Sequence, residues 1–170
     1  MRRLLTVWLL IGLLAIAFTA PVLADDEDTP AGLVVDASQS LGEISPYVLG
    51  SNYTPWTSIP FDLIPAAQAL GINYLRLGGG FSDERDLYPD FIDMFIVVAR
   101  MIDAEPAITV RLLHSTPEQS AESVRYTNIE RGYGVRYWSI GNEPSLFQTM
   151  FRTDYTTEDY NRKWRAHAEA

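Results

Sequence analysis

The sequence predicts an α/β fold, because three of its patterns agree. Apolar runs rich in β-branched and aromatic residues alternate with segments of helical periodicity, which is typical of strand–helix units around a parallel sheet. About four such units fit between residues 32 and 170, whereas a closed (β/α)8 barrel has eight. Polar side chains also gather where the predicted strands end. We therefore expect the first half of a (β/α)8 TIM barrel with parallel strands, preceded by a signal peptide. An open, doubly wound sheet is the alternative.

The amino terminus has the pattern of a secretory signal peptide. A basic start, Met1–Arg3, precedes an apolar run and then a stretch of small residues. We expect cleavage after Ala24, so that residues 1–24 are the signal peptide, residues 25–31 an acidic spacer and residues 32–170 the N-terminal half of the barrel. An uncleaved anchor is the alternative, because the apolar run is near the lower length limit for a membrane span. The prediction is a secreted or extracytoplasmic protein that meets a membrane only during export.

Composition disfavours several classes of function. The formal net charge is −9, and losing Arg2 and Arg3 with the signal peptide makes the mature chain more acidic, which disfavours binding to nucleic acid. The chain has no cysteine and only two histidines, so the sequence shows neither a disulfide nor a metal-ligand cluster. Gly78–Gly80 lacks the nucleotide-binding spacing and precedes acidic residues, which disfavours phosphate. We expect no metal and no cofactor.

Strands and helices are predicted to alternate along the chain. Strands are predicted at Leu33–Ala37, Tyr47–Tyr53, Ile72–Leu77, Ala107–Leu113 and Val135–Ile140. Helices are predicted at Pro65–Leu70, at Pro89–Asp103, from Thr116 to about Asn128, and from Thr157 onward. Thr116 and Gln119 form a capping-box pattern, with Pro117 at the first helical position.

Helical spacing also predicts which side chains two of the helices share on one face. For the helix Pro89–Asp103 this apolar face consists of Phe91, Met94, Phe95, Val98, Met101 and Ile102. In the last helix, the predicted face consists of Tyr160, Trp164 and Ala168. That helix reaches Ala170 with no Gly or Pro after it, so we expect a truncated reading frame or a fragment.

The segment Tyr137–Pro144 is the most informative part of the sequence. Aromatic and β-branched residues lead into Gly-Asn-Glu-Pro, and Pro144 cannot continue a central strand, which places Glu143 at the strand's carboxyl end. In a barrel of parallel strands, this end carries the chemistry. Tyr137 and Trp138 are expected to surround the carboxyl and raise its pKa, as in a general acid. A helix-capping Asn-Glu pair in an ordinary loop is the alternative.

Polar residues follow the other predicted strands as well. Because the carboxyl ends of parallel strands meet, we expect one concave surface to carry Asn52, Arg76, His114, Asn142 and Glu143. Each of the first three also has a structural explanation: an ion pair for Arg76, a cap for His114, and a turn for Asn52. Asn52 also begins the sequon Asn52-Tyr53-Thr54, whose glycosylation is disfavoured if the residue lines a pocket.

Three segments together resemble one known family. Trp138–Pro144 resembles a W-x-I-G-N-E-P signature at the end of strand four, and Ile44–Asn52 and Leu75–Gly80 resemble elements at strands one and two. The family is clan A of the glycoside hydrolases, retaining (β/α)8 glycosidases. The branch is that of the arabinofuranosidases, xylosidases, heparanase-like enzymes and related endoglucanases. The resemblance covers roughly residues 33–165. Ser139 departs from the family pattern, since many members have glutamate there, and so does Leu77-Gly78, where some have Phe-Pro.

The resemblance implies a secreted glycoside hydrolase that acts on O-glycosidic bonds in poly- or oligosaccharides. Glu143 matches the acid/base and Asn142 the residue that binds the sugar 2-hydroxyl. Arg76 matches an arginine that orients the nucleophile, and the remaining subsite residues are His114, Asn52, Tyr53 and Trp56. The nucleophile is expected on strand seven, about 5 Å from the acid/base; it is not in this chain, which alone is therefore expected to be inactive. A non-catalytic carbohydrate-binding or scaffold protein and an unrelated secreted α/β domain are the alternatives.

Overall fold

The computed structural model describes residues 36–170. The predicted signal peptide, the acidic spacer and residues 33–35 of the strand predicted at Leu33–Ala37 lie outside the described residues, and Asp36 and Ala37 are not in a strand. The chain divides into two units, one ending at Gly42 and one comprising Glu43–Ala170. In the described part of the first, Asp36 accepts hydrogen bonds from the backbone N–H and the hydroxyl of Ser38. No described helix is both long and apolar enough to span a bilayer.

Four parallel strands form a single sheet in the second unit. They are β1 (Gly50–Tyr53), β2 (Tyr74–Leu77), β3 (Glu105–Val110) and β4 (Tyr137–Ile140). Their order in the sheet is their order in the sequence, and every adjacent pair is parallel. The predicted parallel α/β arrangement is confirmed. A doubly wound sheet reverses its strand order, and the described strands do not, so their order is consistent with a partial barrel.

Helices connect the strands. They are α1 (Ile64–Ala69), α2 (Phe81–Glu84), α3 (Pro89–Met101), α4 (Pro117–Val124), α5 (Phe147–Phe151) and α6 (Thr157–Glu169). The predicted capping box begins α4: the Thr116 hydroxyl accepts from the Gln119 N–H, and the Gln119 side chain accepts from the Thr116 N–H. Beyond α4 the chain continues as a π-helix, Arg125–Glu130, slightly past the predicted end.

The two faces of the sheet differ in chemistry because strand side chains alternate in direction. One face carries Leu75, Leu77 and Ile108, which are fully buried in the main hydrophobic core with the apolar side chains of α1 and α3. The other face carries polar side chains that bond to one another across the strands, among them Arg76 and Thr109. Arg76 therefore lies on the face that does not contribute to this core.

The face that α3 buries differs from the prediction. Phe95 and Val98 are buried as expected, but Met94 and Met101 are 49% and 40% exposed. The helix instead buries Ile92, Ile96 and Ala99. Apolar residues occur on nearly every side of this helix, so the periodicity alone does not determine which side meets the sheet.

Two further predictions need correction at the carboxyl half. In α6 the buried side chain is His167, which shares a hydrogen bond with Ser120 of α4, whereas Trp164 is 43% exposed. A helical wheel places apolar residues inside and so misses a buried histidine. Strand β3 ends at Val110, not at Leu113. Leu112 and Leu113 are buried nonetheless, in a second apolar cluster with Phe147 and Tyr155.

Candidate functional site

Arg76 is the centre of the polar network at the carboxyl end of the sheet. It lies near the end of β2, and its guanidinium donates to side chains from three other segments. Nε donates to Thr109 Oγ1 at 2.9 Å, Nη1 to Asn52 Oδ1 at 3.4 Å, and Nη2 to Asn142 Oδ1 at 3.2 Å. Thr109 in turn shares a 2.7 Å hydrogen bond with Ser139 of β4. The structure thus brings together three of the sequence-predicted residues: Asn52, Arg76 and Asn142.

Gly78 leaves room for this network. A Cβ at this position would lie 2.4 Å from Thr109 Oγ1 and 3.1 Å from the Arg76 guanidinium carbon. Arg76 Nε donates to Thr109 Oγ1, so a Cβ at this position would disturb that hydrogen bond. The glycine at this position, one of the departures from the family pattern, is what permits the close approach of Arg76 to Thr109.

Asp83 is a site residue that sequence reasoning missed. It lies in α2, directly after β2, and is only 3% exposed. Its two carboxylate oxygens accept both N–H groups of one residue: Oδ1 accepts from the Asn142 backbone at 3.0 Å and Oδ2 from Asn142 Nδ2 at 3.1 Å. Nothing in the local sequence distinguishes Asp83 from the acidic residues around it. Its proximity to Asn142 arises only in the folded chain.

Opposing effects act on the pKa of the Asp83 carboxyl, and the net result is a pKa above its usual value. Burial raises the pKa of its carboxyl, and the nearby charge of Glu143 acts in the same direction. The two hydrogen bonds from Asn142 and the positive charge of Arg76 oppose the rise. The cluster therefore combines one cation with two carboxyl groups, one buried and bonded and the other, on Glu143, exposed.

Glu143 is presented by a sharp backbone corner. Gly141 and Glu143 both have left-handed dihedrals, with φ of 75° and 42°. A Cβ on Gly141 would lie 2.9 Å from the Leu112 Cβ, so glycine fits the corner for two reasons. The Glu143 carbonyl accepts from the Leu146 N–H at 2.8 Å as a 3-10 turn begins at Pro144. The backbone is thus fixed, and the carboxyl side chain extends from it into solvent.

The predicted aromatic surroundings of Glu143 are wrong. Tyr137 is the first residue of β4, and its ring packs edge-on against Tyr47 and Tyr74 at the amino-terminal end of the sheet. Trp138 packs against the main core, and its indole N–H donates to the Val135 carbonyl. A strand carries its residues about 3.3 Å apart, so the start of β4 is well separated from the corner that follows it.

The remaining predicted subsite residues differ in accessibility. Tyr53 is 3% exposed in the main core, with its ring against Phe95, so it offers no face to a sugar and its predicted role is corrected. Trp56 is 59% exposed and rests edge-on against Phe81. His114 is exposed, has a φ of 58°, and lies beside Phe151. Of these three, Trp56 and His114 are open to a ligand, while neither bonds to Arg76.

Three solved structures are similar to part of the chain. One, described as an arabinofuranosidase, is 19% identical with a TM-score of 0.48, over 66% of this chain and 31% of that one. An α-L-arabinofuranosidase from Thermotoga maritima in an arabinose complex is 22% identical, with a TM-score of 0.46 over 58% and 28% of the two chains. A thermostable GH51 α-L-arabinofuranosidase from Thermotoga petrophila RKU-1 is 22% identical, with a TM-score of 0.43 over 59% and 28%.

The chain spans less than a third of the length of each of these structures. No family model and no curated protein matches it. With TM-scores below 0.5, these likenesses carry no argument about function, which is inferred from the side chains of the site.

The cluster contains a hydrogen-bond donor and an exposed carboxyl, the groups needed to bind a ligand rich in hydroxyl groups. Asn142, which is 7% exposed, uses its Oδ1 for Arg76 and one Nδ2 hydrogen for Asp83, and its second Nδ2 hydrogen has no partner among the described residues. Glu143 adds an exposed carboxyl at the next position. Among residues 36–170, no group of three or more His, Cys, Asp or Glu side chains is arranged to hold a metal ion.

Proposed function

We propose that the chain is an exported glycoside hydrolase portion that carries the acid/base side of a retaining active site. The observation that supports it is the bond between Arg76 and Asn142, which places an amide donor beside an exposed carboxyl, Glu143, at the carboxyl end of the sheet. The proposed substrates are O-glycosidic bonds in poly- or oligosaccharides. Export is part of the proposal and is supported by the signal-peptide pattern of residues 1–24.

In the proposed mechanism Glu143 acts twice. It donates a proton to the leaving oxygen as the glycosidic bond breaks, and its carboxylate then takes a proton from the water that attacks the glycosyl-enzyme. The free Nδ2 hydrogen of Asn142 donates to the sugar 2-hydroxyl, a contact that strengthens as the ring approaches an oxocarbenium ion. Arg76 holds the Asn142 side-chain amide through its hydrogen bond, and its positive charge is proposed to favour the ionised form of the nucleophile carboxylate.

The nucleophile is proposed to come from a strand beyond this sequence. A retaining site needs a second carboxylate about 5 Å from the first. Asp83 does not serve, because Asn142 occupies both of its oxygens and its side chain is buried. Asp159 is equally engaged, since it closes the capping box at the start of α6 with Thr156. The 170-residue chain alone is therefore expected to bind a sugar without turning it over.

Sugar binding by this chain is the direct test. We would titrate the 15N-labelled chain with methyl α-L-arabinofuranoside and, separately, with methyl β-D-xylopyranoside. Amide shifts are expected to change at Asn52, Arg76 and Asn142, and Arg76→Gln should abolish the change because Asn142 loses its partner. Arg162→Gln, an equal charge change on the exposed side of α6, is the matched control. Shift changes confined to residues away from Arg76 and Asn142 would contradict the proposed site.

The role of Glu143 is tested in a parent enzyme that includes the second carboxylate. Glu143→Ala should slow substrates with poor leaving groups by about 100-fold or more, because these need the acid. Activated aryl glycosides should lose less in the glycosylation step, and azide should restore turnover by attacking the glycosyl-enzyme and giving a retained glycosyl azide. Glu158→Ala, in the exposed first turn of α6, is the control. Equal losses on both substrates would remove Glu143 as the acid/base.

A non-catalytic sugar-binding protein is the second candidate. The observation that favours it is that Asp83, the buried carboxylate beside Glu143, is fully engaged by Asn142. The test uses the longer parent protein. If it binds the methyl glycosides through Asn142 but does not hydrolyse them, whether or not Glu143 is present, the second candidate is supported.

A further inference from the structure

Asp83 is a buried charge for which the proposed mechanism has no use. Its side chain does not face the ligand side of the cluster, since both oxygens are directed at Asn142. A buried carboxylate is costly unless its hydrogen bonds repay the lost hydration. Asn142 supplies two such bonds and Arg76 supplies the opposite charge. Asp83 and Asn142 are 59 positions apart in the sequence. Because burying the Asp83 carboxyl is unfavourable, we expect its role to lie in what it does to Asn142.

The two bonds determine which way the Asn142 amide points. With Nδ2 on Asp83 and Oδ1 on Arg76, each end of the amide faces a complementary partner. Rotating the amide by half a turn would place its oxygen against the Asp83 carboxylate and its NH2 group against the Arg76 guanidinium. Both contacts would then be repulsive, so only one orientation is stable. That orientation leaves one Nδ2 hydrogen without a partner among the described residues.

The backbone bond acts on Glu143. Asn142 is the middle residue of the corner, between Gly141 and Glu143, whose left-handed dihedrals orient the carboxyl. The bond from the Asn142 N–H to Asp83 Oδ1 attaches this middle residue to α2. Asp83 is itself anchored, because its carbonyl accepts from Arg111 Nε at 3.0 Å. The corner that carries Glu143 is thus connected through Asp83 to Arg111, the residue directly after β3.

We propose that Asp83 is a positioning residue, which locks the Asn142 amide in its ligand-donating orientation and holds the Glu143 corner in place. The inference rests on the proposed function, since it assigns to Asp83 the aiming of the two groups that would act on the sugar. Asp83 itself does not touch the substrate.

The positioning role of Asp83 is tested by exchanging the hydrogen-bond donor and acceptor between the side chains of residues 83 and 142. Asp83→Asn keeps the size of the side chain, but sets its new NH2 group against the NH2 of Asn142. Hydrogen-exchange protection of the Asn142 backbone amide should fall about tenfold, because its acceptor loses its charge and the neighbouring side-chain bond is replaced by a repulsive contact. The double variant Asp83→Asn/Asn142→Asp restores the side-chain bond with donor and acceptor exchanged. The backbone N–H of residue 142 still donates to the side-chain oxygen of residue 83, and Arg76 keeps an acceptor, so protection should recover above that of Asp83→Asn. Glu84→Gln neutralises the exposed neighbour and should change nothing.

The same variants distinguish positioning from simple structural support. Asp83→Asn should weaken methyl glycoside binding about tenfold while protection of the core amide of Ile108 stays as in Glu84→Gln. In the unaltered chain, the shifts of both Asn142 N–H groups should follow one titration, at a pH above the usual range of an aspartate because burial raises the pKa of Asp83.

Different results would refute the positioning role of Asp83 and the proposed function. Protection that is unchanged in Asp83→Asn, or fails to recover in the double variant, overturns the positioning role. If Asp83→Asn does not fold, the titration of the unaltered chain decides: Asn142 shifts that do not follow the Asp83 carboxyl overturn the role, and shifts that follow it support the lock. Absence of sugar binding in the unaltered chain, with the protection pattern as expected, refutes the proposed function and leaves the lock between Asp83 and Asn142 standing.

Discussion

The corner that presents Glu143 depends on single residues with little freedom. Glu143 has a left-handed backbone, which costs a residue with a side chain about 1–2 kcal/mol. Gly141 takes the same region without that cost and fits against Leu112 because it has no Cβ. Asn142 between them is held from the side by Asp83. The strain at Glu143 persists because its neighbours determine the path of the chain.

Gly141→Ala is expected to destabilise the fold by about 2–4 kcal/mol, which combines the left-handed penalty with a Cβ placed against Leu112. Gly79→Ala is the matched control, because Gly79 has a similar φ of 81° and no heavy atom within 4 Å of the added Cβ. It should cost about 1–2 kcal/mol, from the dihedral alone. Urea unfolding of both variants gives the comparison, and equal losses would show that the contact with Leu112 does not matter.

Among the elements, α6 is attached through a buried polar contact as well as an apolar one. Its buried side chain is His167, whose Nδ1 lies 2.7 Å from the buried Ser120 hydroxyl of α4. Burial lowers the pKa of His167, and the charge of Lys163 on the same helix lowers it further, whereas Glu118 of α4 opposes the shift. The neutral imidazole is thus favoured in the fold. Its contribution to stability is fully present above the usual value of 6.5 and is lost as pH falls below it.

The free energy of unfolding should therefore decrease between about pH 7.5 and pH 5.5, because the unfolded chain takes up a proton that folded His167 resists. His167→Gln should remove most of this decrease. His114→Gln, which changes the only other histidine of the chain and an exposed one, should preserve it. Urea titrations at the two pH values test this, and an equal decrease in all three proteins would show that His167 does not carry the effect.

In the described unit as a whole, the sheet is left open. Strands β1 and β4 each pair with one described strand, and the polar face that contains Arg76 does not contribute to the main core. Large apolar side chains are exposed near both outer strands, Val48 and Leu49 before β1 and Ile129 in a groove beside β4. Unpaired strand edges and exposed apolar surface favour association.

The 170-residue chain is accordingly expected to self-associate. Light scattering should give a mass above that of the monomer, increasing with protein concentration. Val48→Lys combined with Ile129→Lys should shift the equilibrium toward the monomer, whereas Met94→Lys, an exposed position on α3, should shift it less. A monodisperse monomer with a single cooperative melt would contradict this expectation.

The sequence by itself determined the four strands, the longer helices and their order, but not the short helices α2 and α5. Strand-like and helical periodicities are local properties, as are the Thr116 capping box and the Gly-Asn-Glu-Pro corner, so all four are recognisable without a structure. Parallel pairing follows from the alternation of strands with helices, which leaves few other topologies. The meeting of Arg76 with Asn142 follows in turn, because parallel strands end at one edge.

Only the tertiary structure decided which side chains are buried and which are paired. Tyr53 has an aromatic ring of the kind that stacks on sugars, yet it lies in the core. Met94 has an apolar side chain typical of a core, yet it is exposed to solvent. Asp83 has no local signal at all, since its partner Asn142 is 59 positions away. Local sequence fixes backbone geometry through short-range sterics and capping. Burial and charge pairing depend on which distant segments share a volume, and the fold alone sets that.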